Sequence, residues 1–169
     1  MFIGDFTGDK INDLFISASI AGNGGIINNR IVKLSEKKPK IIFSEKENEG
    51  IKIQGDYLDN FRVKLYTNTN KQFEIDLSFN ENTYIKNKIY DNNGKLLKQV
   101  KTWSDSFQNL KPVDYDGDGI YELVGNQSIF ETSHVDKISH LNSLWKYESN
   151  KWQPKEIEYS SFLIKQPIS

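Results

Sequence analysis

The stretch "VDYDGDGIYELVG", residues 113–125, packs three aspartates and two glycines into six positions. Three carboxylates at alternate positions, Asp114, Asp116 and Asp118, repel one another at neutral pH unless a cation or full hydration screens them. The glycines allow a tight curl of the backbone that brings alternate side chains towards one point. Because carboxylate oxygens suit Ca²⁺ better than zinc or copper, the stretch predicts a calcium loop.

The flanks of this loop are typical of strands. From Asp114 to Gly119 the residues follow the helix-flanked EF-hand pattern, but that pattern requires a bidentate Glu at position twelve, where Gly125 stands. An acid arrives instead at position nine, as Glu122. Pro112 precedes the loop and β-branched, apolar residues follow it, so we expect the loop to join two strands.

An Asp-rich loop of this form, set between strands, resembles the calcium loops of the FG-GAP and VCBS repeat families, which build integrin-type β-propellers. In those families the ligands are the side chains at positions one, three, five and nine and the carbonyl at position seven. The resemblance implies that the ligands here are Asp114, Asp116, Asp118, Glu122 and the Ile120 carbonyl. Since Glu is longer than the usual Asp at position nine, the site is expected to be looser.

A second stretch, "GDFTGDKINDLFIS" at residues 4–17, matches the same motif less well. The resemblance places its positions one, three, five, seven and nine at Asp5, Thr7, Asp9, the Ile11 carbonyl and Asp13. Thr7 replaces an acid, and Lys10 replaces the second glycine and brings a positive charge. We therefore expect weak calcium binding or none. The alternative for both stretches is a solvated acidic turn without metal.

Alternating apolar and polar residues between Gly and Asn turns predict an all-β, antiparallel fold of repeated hairpin units. The clearest alternation is "KQFEIDLSF", which predicts that Phe73, Ile75, Leu77 and Phe79 point inward. The two acidic loops start 109 positions apart, about twice a propeller blade. This interval is compatible with a partial or degenerate β-propeller, or with a compact β-sandwich or open meander.

Local signals predict several turns. Asn93-Gly94 and Ser149-Asn150 are predicted hairpin turns, the first of type I′, and "EKENEG" at 45–50 reads as a charged turn. Trp145 and Trp152 are expected to pack across the second hairpin, and all three tryptophans are expected to be buried. For residues 131–145 the sequence is compatible with a loop or with a short helix capped by Ser133. His134 and His140 are interpreted as ordinary loop residues.

The amino-acid composition limits the classes of partner and site that can be expected. With 22 basic and 23 acidic residues the net charge is −1, which disfavours nucleic acid and anionic membranes. The absence of cysteine excludes disulfides, thiolate metal sites and a cysteine nucleophile but leaves the compartment open. No apolar run of membrane-spanning length occurs, so no membrane insertion is expected.

The chain of 169 residues suits one β domain, residues 1–169. Almost no room is left for a strand before the first loop, which suggests that this is the C-terminal part of a longer chain carrying any signal peptide upstream. The family resemblance implies an extracellular or cell-surface bacterial setting with millimolar calcium, although a cytoplasmic location stays open.

Two functions follow. The first is a non-catalytic, calcium-stabilised binding or structural module whose partner is a protein or glycan. The second is an accessory or catalytic part of a glycan-active hydrolase using paired carboxylates such as Asp105 and Asp114. No Ser-His-Asp, zinc-binding or phosphate-binding signature is present, so we predict that the chain is not an enzyme.

Overall fold

The computed structural model describes residues 1–19, 27–35 and 37–161 of the chain. It is mostly β, and every strand pair whose register is described is antiparallel, as predicted. By their internal contacts the residues divide into two compact units. The described residues of the first unit fall within Met1–Gly50, Ser106–Gln127 and Leu141–Glu158, and those of the second fall within Ile51–Asp105, Ser128–His140 and 159–161.

Three sheets contain the strands. The first sheet has the order β1 (Phe2–Gly4), β2 (Asp13–Ser19), β3 (Ile27–Lys33) and β4 (Lys40–Phe43). A second sheet has the order β5 (Ile53–Leu58), β6 (Arg62–Thr67) and β7 (Gln72–Asp76). The third contains β8 (Thr102–Ser104), β9 (Asn109–Val113), β10 (Glu122–Glu131), β11 (Ser133–Glu148) and β12 (Lys151–Ser161), in the order β12-β11-β10-β8 with β9 also paired to β10. The strands of the described chain form no closed ring of propeller blades.

Aromatic residues build the core of the first unit. The ring of Phe6, a residue that is fully buried, lies 6.1 Å from the ring of Tyr121 and 6.1 Å from that of Trp152. Trp152 also contacts Phe43 edge to face. The strand before the first acidic loop, β1, has only three residues, and it pairs with β2. The pairing of Gly4 with Asp13 places the two ends of the loop side by side.

The core of the second unit follows the predicted alternation over most of its length. Ile75 and Leu77 are buried, and Glu74 lies on the exposed face. Phe79 was expected to point inward but is 42% exposed, because the chain leaves the strand and forms a 3₁₀ turn at Ser78–Asn80. The alternation of buried and exposed side chains holds only within the strand, so it does not predict the burial of a residue in the turn that follows.

Three local predictions need correction. The segment "EKENEG" contains a short helix, α1 (Glu45–Asn48), with Ser44 and Glu47 forming a capping box. Residues 131–145 lie mainly in the 16-residue strand β11, which excludes the capped helix and places both histidines in a strand. A second short helix, α2 (Glu81–Lys86), had no predicted counterpart.

The two predicted hairpin turns differ. Ser149 and Asn150 both have positive φ, 51° and 63°, and join β11 to β12, which confirms that turn. At Asn93-Gly94 the chain turns, but Gly94 alone has positive φ and a single bridge joins Tyr90 to Leu96. The type I′ assignment there is therefore wrong.

Two of the three tryptophans are buried. Trp145 and Trp152 are each 8% exposed, whereas Trp103 is half-buried. The expected packing of Trp145 against Trp152 is not found among the described ring contacts, since Trp145 contacts Phe107 and Trp152 contacts Phe43. No helix in the described residues combines the length and apolarity that crossing a bilayer requires.

Candidate metal centre

The second acidic loop, Asp114–Glu122, connects β9 to β10 in the first unit. The pairing of Glu122 with Val113 closes the hairpin directly beneath the loop. Gly117 and Gly119 have φ values of 76° and 83°, a region that is costly for other residues. These two positions give the loop the tight curl that the sequence predicts.

Three of the four predicted acidic side chains come together. Asp114, Asp116 and Glu122 each offer a carboxylate oxygen, and these oxygens lie within 4.8 Å of one another. Glu122 is 2% exposed, whereas Asp116 is exposed, so the cluster has a buried base and an open side. Asp114 Oδ1 is buried and receives no hydrogen bond from the described residues.

Asp118 is placed differently from the other three acids. Its Oδ1 accepts a hydrogen bond of 2.7 Å from the Ile120 N–H, and it is not part of the cluster of close oxygens. Ile120 thus has a defined role as a backbone donor, while its carbonyl stays a predicted ligand. The loop therefore supplies three convergent carboxylates rather than four.

Lys146 on β11 is a cation that the sequence reasoning missed. Its Nζ lies 3.0 Å from Glu122 Oε1, 3.2 Å from Asp116 Oδ2 and 3.8 Å from Asp118 Oδ2. The ion pairs with Glu122 and then Asp116 raise the pKa of Lys146, and the hydrogen bond from Lys146 lowers the pKa of Asp116. No spacing in the sequence marks this lysine, because its position depends on the pairing of β10 with β11.

The first acidic loop, Asp5–Asp13, connects β1 to β2 in the same unit. Asp5 accepts three backbone N–H bonds, from Thr7 at 2.9 Å, Gly8 at 2.8 Å and Lys10 at 2.7 Å. Asp13 is fully buried, which raises its pKa, and it accepts N–H bonds from Phe6 and Leu34. Backbone donors therefore occupy the oxygens that would otherwise face a metal.

The remaining acid of the first loop is neutralised by side chains. Asp9 Oδ2 lies 3.0 Å from Lys33 Nζ and accepts a hydrogen bond of 2.6 Å from the Ser35 hydroxyl. The Ser35 bond, with Lys33, lowers the pKa of Asp9 to about 2. Lys10 was expected to bring the positive charge, but the lysine that contacts the acids is Lys33. No convergent carboxylate group is found at this loop among the described residues.

The two loops share their internal hydrogen bonds. In each loop the carboxylate at position one accepts a hydrogen bond from the backbone N–H of position six. The carboxylate at position five accepts one from the N–H of position seven, and the carboxylate at position nine accepts one from the N–H of position two. The pairs are Asp5–Lys10 (2.7 Å) and Asp114–Gly119 (3.2 Å), Asp9–Ile11 (3.0 Å) and Asp118–Ile120 (2.7 Å), and Asp13–Phe6 (3.3 Å) and Glu122–Tyr115 (3.0 Å). The resemblance between the loops that the sequence indicated is therefore also a resemblance of backbone structure.

The backbone conformations agree at the special positions too. Position four is a glycine in both loops, with φ of 75° at Gly8 and 76° at Gly117. Position six is Lys10 in the first loop, at φ 66°, and Gly119 in the second, at 83°. Lys10 thus adopts a conformation that usually favours glycine. The loops also touch, because the Tyr121 N–H donates a hydrogen bond of 2.7 Å to the Asp5 carbonyl.

Asp105, the other acid of the proposed hydrolase pair, belongs to the second unit. Its Oδ2 lies 3.2 Å from His134 Nδ1, and the His134 ring makes an edge contact with Trp103. This residue has a structural partner of its own within that unit.

The fold and the site define the class of protein: a mostly β chain with antiparallel strand pairs and two related acidic hairpin loops. Residues 51–160, more than half of the chain, match the family described as YybI C-terminal domain, and the chain belongs to that family. The matched region contains the second acidic loop and not the first.

The chain is also similar to a curated protein of Bacillus subtilis (strain 168), "Uncharacterized protein YybI". The two are 28% identical over 154 residues, which cover 90% of this chain and 58% of that protein. No solved structure matches the chain. The assignment to the FG-GAP and VCBS families is therefore wrong, and the propeller architecture that it implied has no support from these relatives. A nine-residue loop motif was too short to identify the family around it.

Proposed function

We propose that this chain is a non-catalytic structural or binding module whose second acidic loop binds one Ca²⁺. The observation that carries the proposal is the convergence of oxygens from Asp114, Asp116 and Glu122 within 4.8 Å of one another. Calcium–oxygen distances of roughly 2.3–2.6 Å place two oxygens on one ion at most about 5 Å apart, so one ion can reach all three.

The donor set fits this ion. Carboxylate oxygens are hard ligands, which favour Ca²⁺ or Mg²⁺ over zinc and copper. Asp114 Oδ1 is buried without a hydrogen-bond donor, and a cation would satisfy it. The open side at Asp116 leaves space for water to complete the six to eight ligands that calcium takes, together with Asp118 and the Ile120 carbonyl.

Lys146 weakens the proposed site, because its ammonium group contacts the same carboxylates that the ion would use. The lysine side chain is long and flexible and is 25% exposed, so it can turn towards solvent when the ion enters. A site with such a competitor requires calcium at high concentration. For that reason the proposal includes an extracellular or cell-surface location, where calcium is millimolar.

A protein or glycan partner is part of the proposal, and the hydrolase alternative has less support. Asp105 pairs with His134, and Asp114 belongs to the calcium cluster, so each carboxylate of the suggested pair already has a structural assignment. Assays on glycan and ester panels with Asp105→Asn would test the alternative. Turnover that this variant abolishes would establish a hydrolase.

Calorimetric titration of the chain with CaCl₂, after treatment with EDTA, tests the main proposal. We expect one ion per chain and weaker binding of MgCl₂, since magnesium demands a tighter octahedral shell. Asp114→Asn keeps the shape of the side chain but removes the charge, and should lower calcium affinity by at least tenfold. Equal heats for this variant and the parent protein, or no binding at millimolar calcium, would refute the proposal.

A further inference from the structure

We infer that Lys33 and Lys146 are built-in counter-ions, each occupying the cation position of one acidic loop, so that a metal ion enters the second loop only by displacing Lys146. The part about displacement rests on the proposed calcium function. The part about the counter-ions rests on the ion pairs alone and applies whether or not the chain binds a metal.

The contacts of Lys146 are those of a central cation. One ammonium group reaches Glu122, Asp116 and Asp118 at 3.0, 3.2 and 3.8 Å. Lys146 donates a hydrogen bond to Asp116 Oδ2, a charged acceptor, which is the strongest kind of hydrogen bond in proteins. Its contact with Glu122 Oε1 is an ion pair. The Glu122 carboxylate is nearly fully buried, where an unpaired charge would be costly. Lys146 therefore supplies the charge balance that a metal would otherwise supply.

Lys33 occupies the corresponding place at the first loop. The register of β2 with β3, in which Leu14 pairs with Val32, puts Lys33 directly across from Asp13 at position nine. In the second loop Lys146 contacts Glu122, also at position nine, from the strand that neighbours β10. In both loops the lysine comes from the strand that pairs with the strand leaving the loop. This shared origin makes a chance contact of one flexible side chain a poor explanation.

The two lysines differ in what they leave free. Lys33 contacts the single carboxylate of Asp9, while Asp5 and Asp13 are already bonded to backbone N–H groups. Lys146 holds several carboxylates by itself, and Asp114 Oδ1 beside them has no donor. Removing Lys33 exposes one acid, whereas removing Lys146 frees a set of convergent oxygens. The first loop therefore offers no site for a metal ion, whereas in the second loop a metal ion can take the place of Lys146.

Two variants test this inference. Lys146→Met keeps an unbranched side chain of similar reach without the charge, and Lys33→Met is its match at the first loop. In EDTA, both should melt at a lower temperature than the parent protein, because each leaves acids without a counter-ion. In calcium titrations Lys146→Met should bind at least tenfold more tightly than the parent, and Lys33→Met should bind like the parent. Calcium should restore the melting temperature of Lys146→Met alone.

The outcomes separate this inference from the proposed function. If Lys146→Met melts like the parent in EDTA, the counter-ion role is wrong whatever calcium does. A parent that binds no calcium beside a Lys146→Met variant that does would refute the proposed function and support the inference. Unchanged calcium affinity in Lys146→Met would refute the displacement.

A measurement on the parent protein covers the case in which the variants fail to fold. In EDTA, Lys146 and Lys33 should be acetylated by a water-soluble reagent several-fold more slowly than Lys10, which is exposed and forms no ion pair with the described residues. Calcium should speed the acetylation of Lys146 and leave Lys33 unchanged. Equal rates for all three lysines in EDTA would contradict the inference.

Discussion

The two acidic loops of the first unit have the same backbone and neutralise their carboxylates by different means. In the first loop Asp5 and Asp13 accept five hydrogen bonds from backbone N–H groups, and one lysine contacts the remaining acid. In the second loop Lys146 contacts three acids, and two buried carboxylate oxygens, Asp114 Oδ1 and Glu122 Oε1, accept no hydrogen bond from the described residues. Two loops with the same backbone can thus neutralise their carboxylates mainly through backbone N–H groups in one case and mainly through a lysine in the other.

The largest expected effect concerns Glu131 in the second unit, a buried acid with no described lysine partner. It is 4% exposed and accepts a hydrogen bond of 2.5 Å from the Tyr84 hydroxyl. Burial, with a smaller contribution from Asp136, raises its pKa from 4.5 to about 8. Between these pH values the folded state keeps a proton that the unfolded state loses, so stability falls as the pH rises through this window.

Glu131→Gln should remove this dependence and stabilise the chain at alkaline pH by up to roughly 5 kcal/mol, at about 1.4 kcal/mol for each pKa unit. Urea unfolding at a series of pH values measures it. If the fall in stability between pH 4.5 and about 8 persists in the variant, another buried acid lacks compensation. Asp13, a fully buried acid whose pKa is also raised by burial, would then be the first suspect, and the comparison with the lysine-paired loops would fail.

The next largest effect separates the acids of the first loop. Asp13→Ala removes the acceptor for two N–H groups in a fully buried position, and should lower the free energy of unfolding by ~2–4 kcal/mol. Asp9→Ala breaks an exposed ion pair and should cost less than ~1 kcal/mol. Chemical denaturation of both variants in EDTA is the measurement. Equal losses would mean that the charge on Asp9, rather than the buried hydrogen bonds, stabilises the loop.

Calcium should distinguish the loops. At a calcium concentration a hundredfold above Kd, binding to the folded state alone adds about 2.7 kcal/mol of stability. Asp116→Ala should lose most of that gain, because it removes one of the three convergent carboxylates. Asp9→Ala serves as the matched control and should keep it. The measurement is the melting temperature of each variant with and without calcium. If Asp116→Ala keeps the rise in melting temperature on adding calcium, the second loop is not the calcium site.

The smallest effect compares Gly8 with Gly117, the glycines at position four. Their φ values are 75° and 76°, so alanine should cost about 1 kcal/mol of backbone strain at either position. A Cβ at Gly8 would lie 3.0 Å from Ile120 Cδ1, whereas a Cβ at Gly117 would meet nothing within 4 Å.

Gly8→Ala should therefore lower the melting temperature slightly more than Gly117→Ala. Ile120→Val, which removes the methyl group that would be in contact, should abolish that excess in a double-mutant cycle. Identical melting temperatures for the two single variants would show that a Cβ at Gly8 does not clash with Ile120, contrary to the short distance in the structure.

The features that the sequence predicted correctly depend on neighbours along the chain. The alternation at Ile75 and Leu77 and the turn at Ser149-Asn150 are local, and the acidic loops carry their own glycines. Among the missed features, α1 had a local signal in the capping box of Ser44 and Glu47, and it also depends on a distant residue. α1 is stabilised in part by Asn48, which donates its side-chain amide to the Asn29 carbonyl across 19 positions.

The same distinction applies to the candidate site. The sequence identified the acids but not Lys146, since a single lysine in a strand gives no sign of which loop it will reach. It also named Asp118 as a ligand, and that role stays a prediction, since Asp118 lies outside the cluster of close oxygens and its Oδ1 is bonded to the Ile120 N–H two residues away. Side chains that bond to their own loop cannot be told from metal ligands by spacing alone.

The hydrogen bond from the Tyr121 N–H to the Asp5 carbonyl makes one backbone amide a reporter for both loops. Its nitrogen belongs to the second loop, and its acceptor is the first residue of the other. In a ¹⁵N-labelled sample this amide should exchange slowly with D₂O. Its resonance should shift when calcium rearranges Asp114–Glu122, and again when a substitution disturbs Asp5, so a single peak would follow both events in solution.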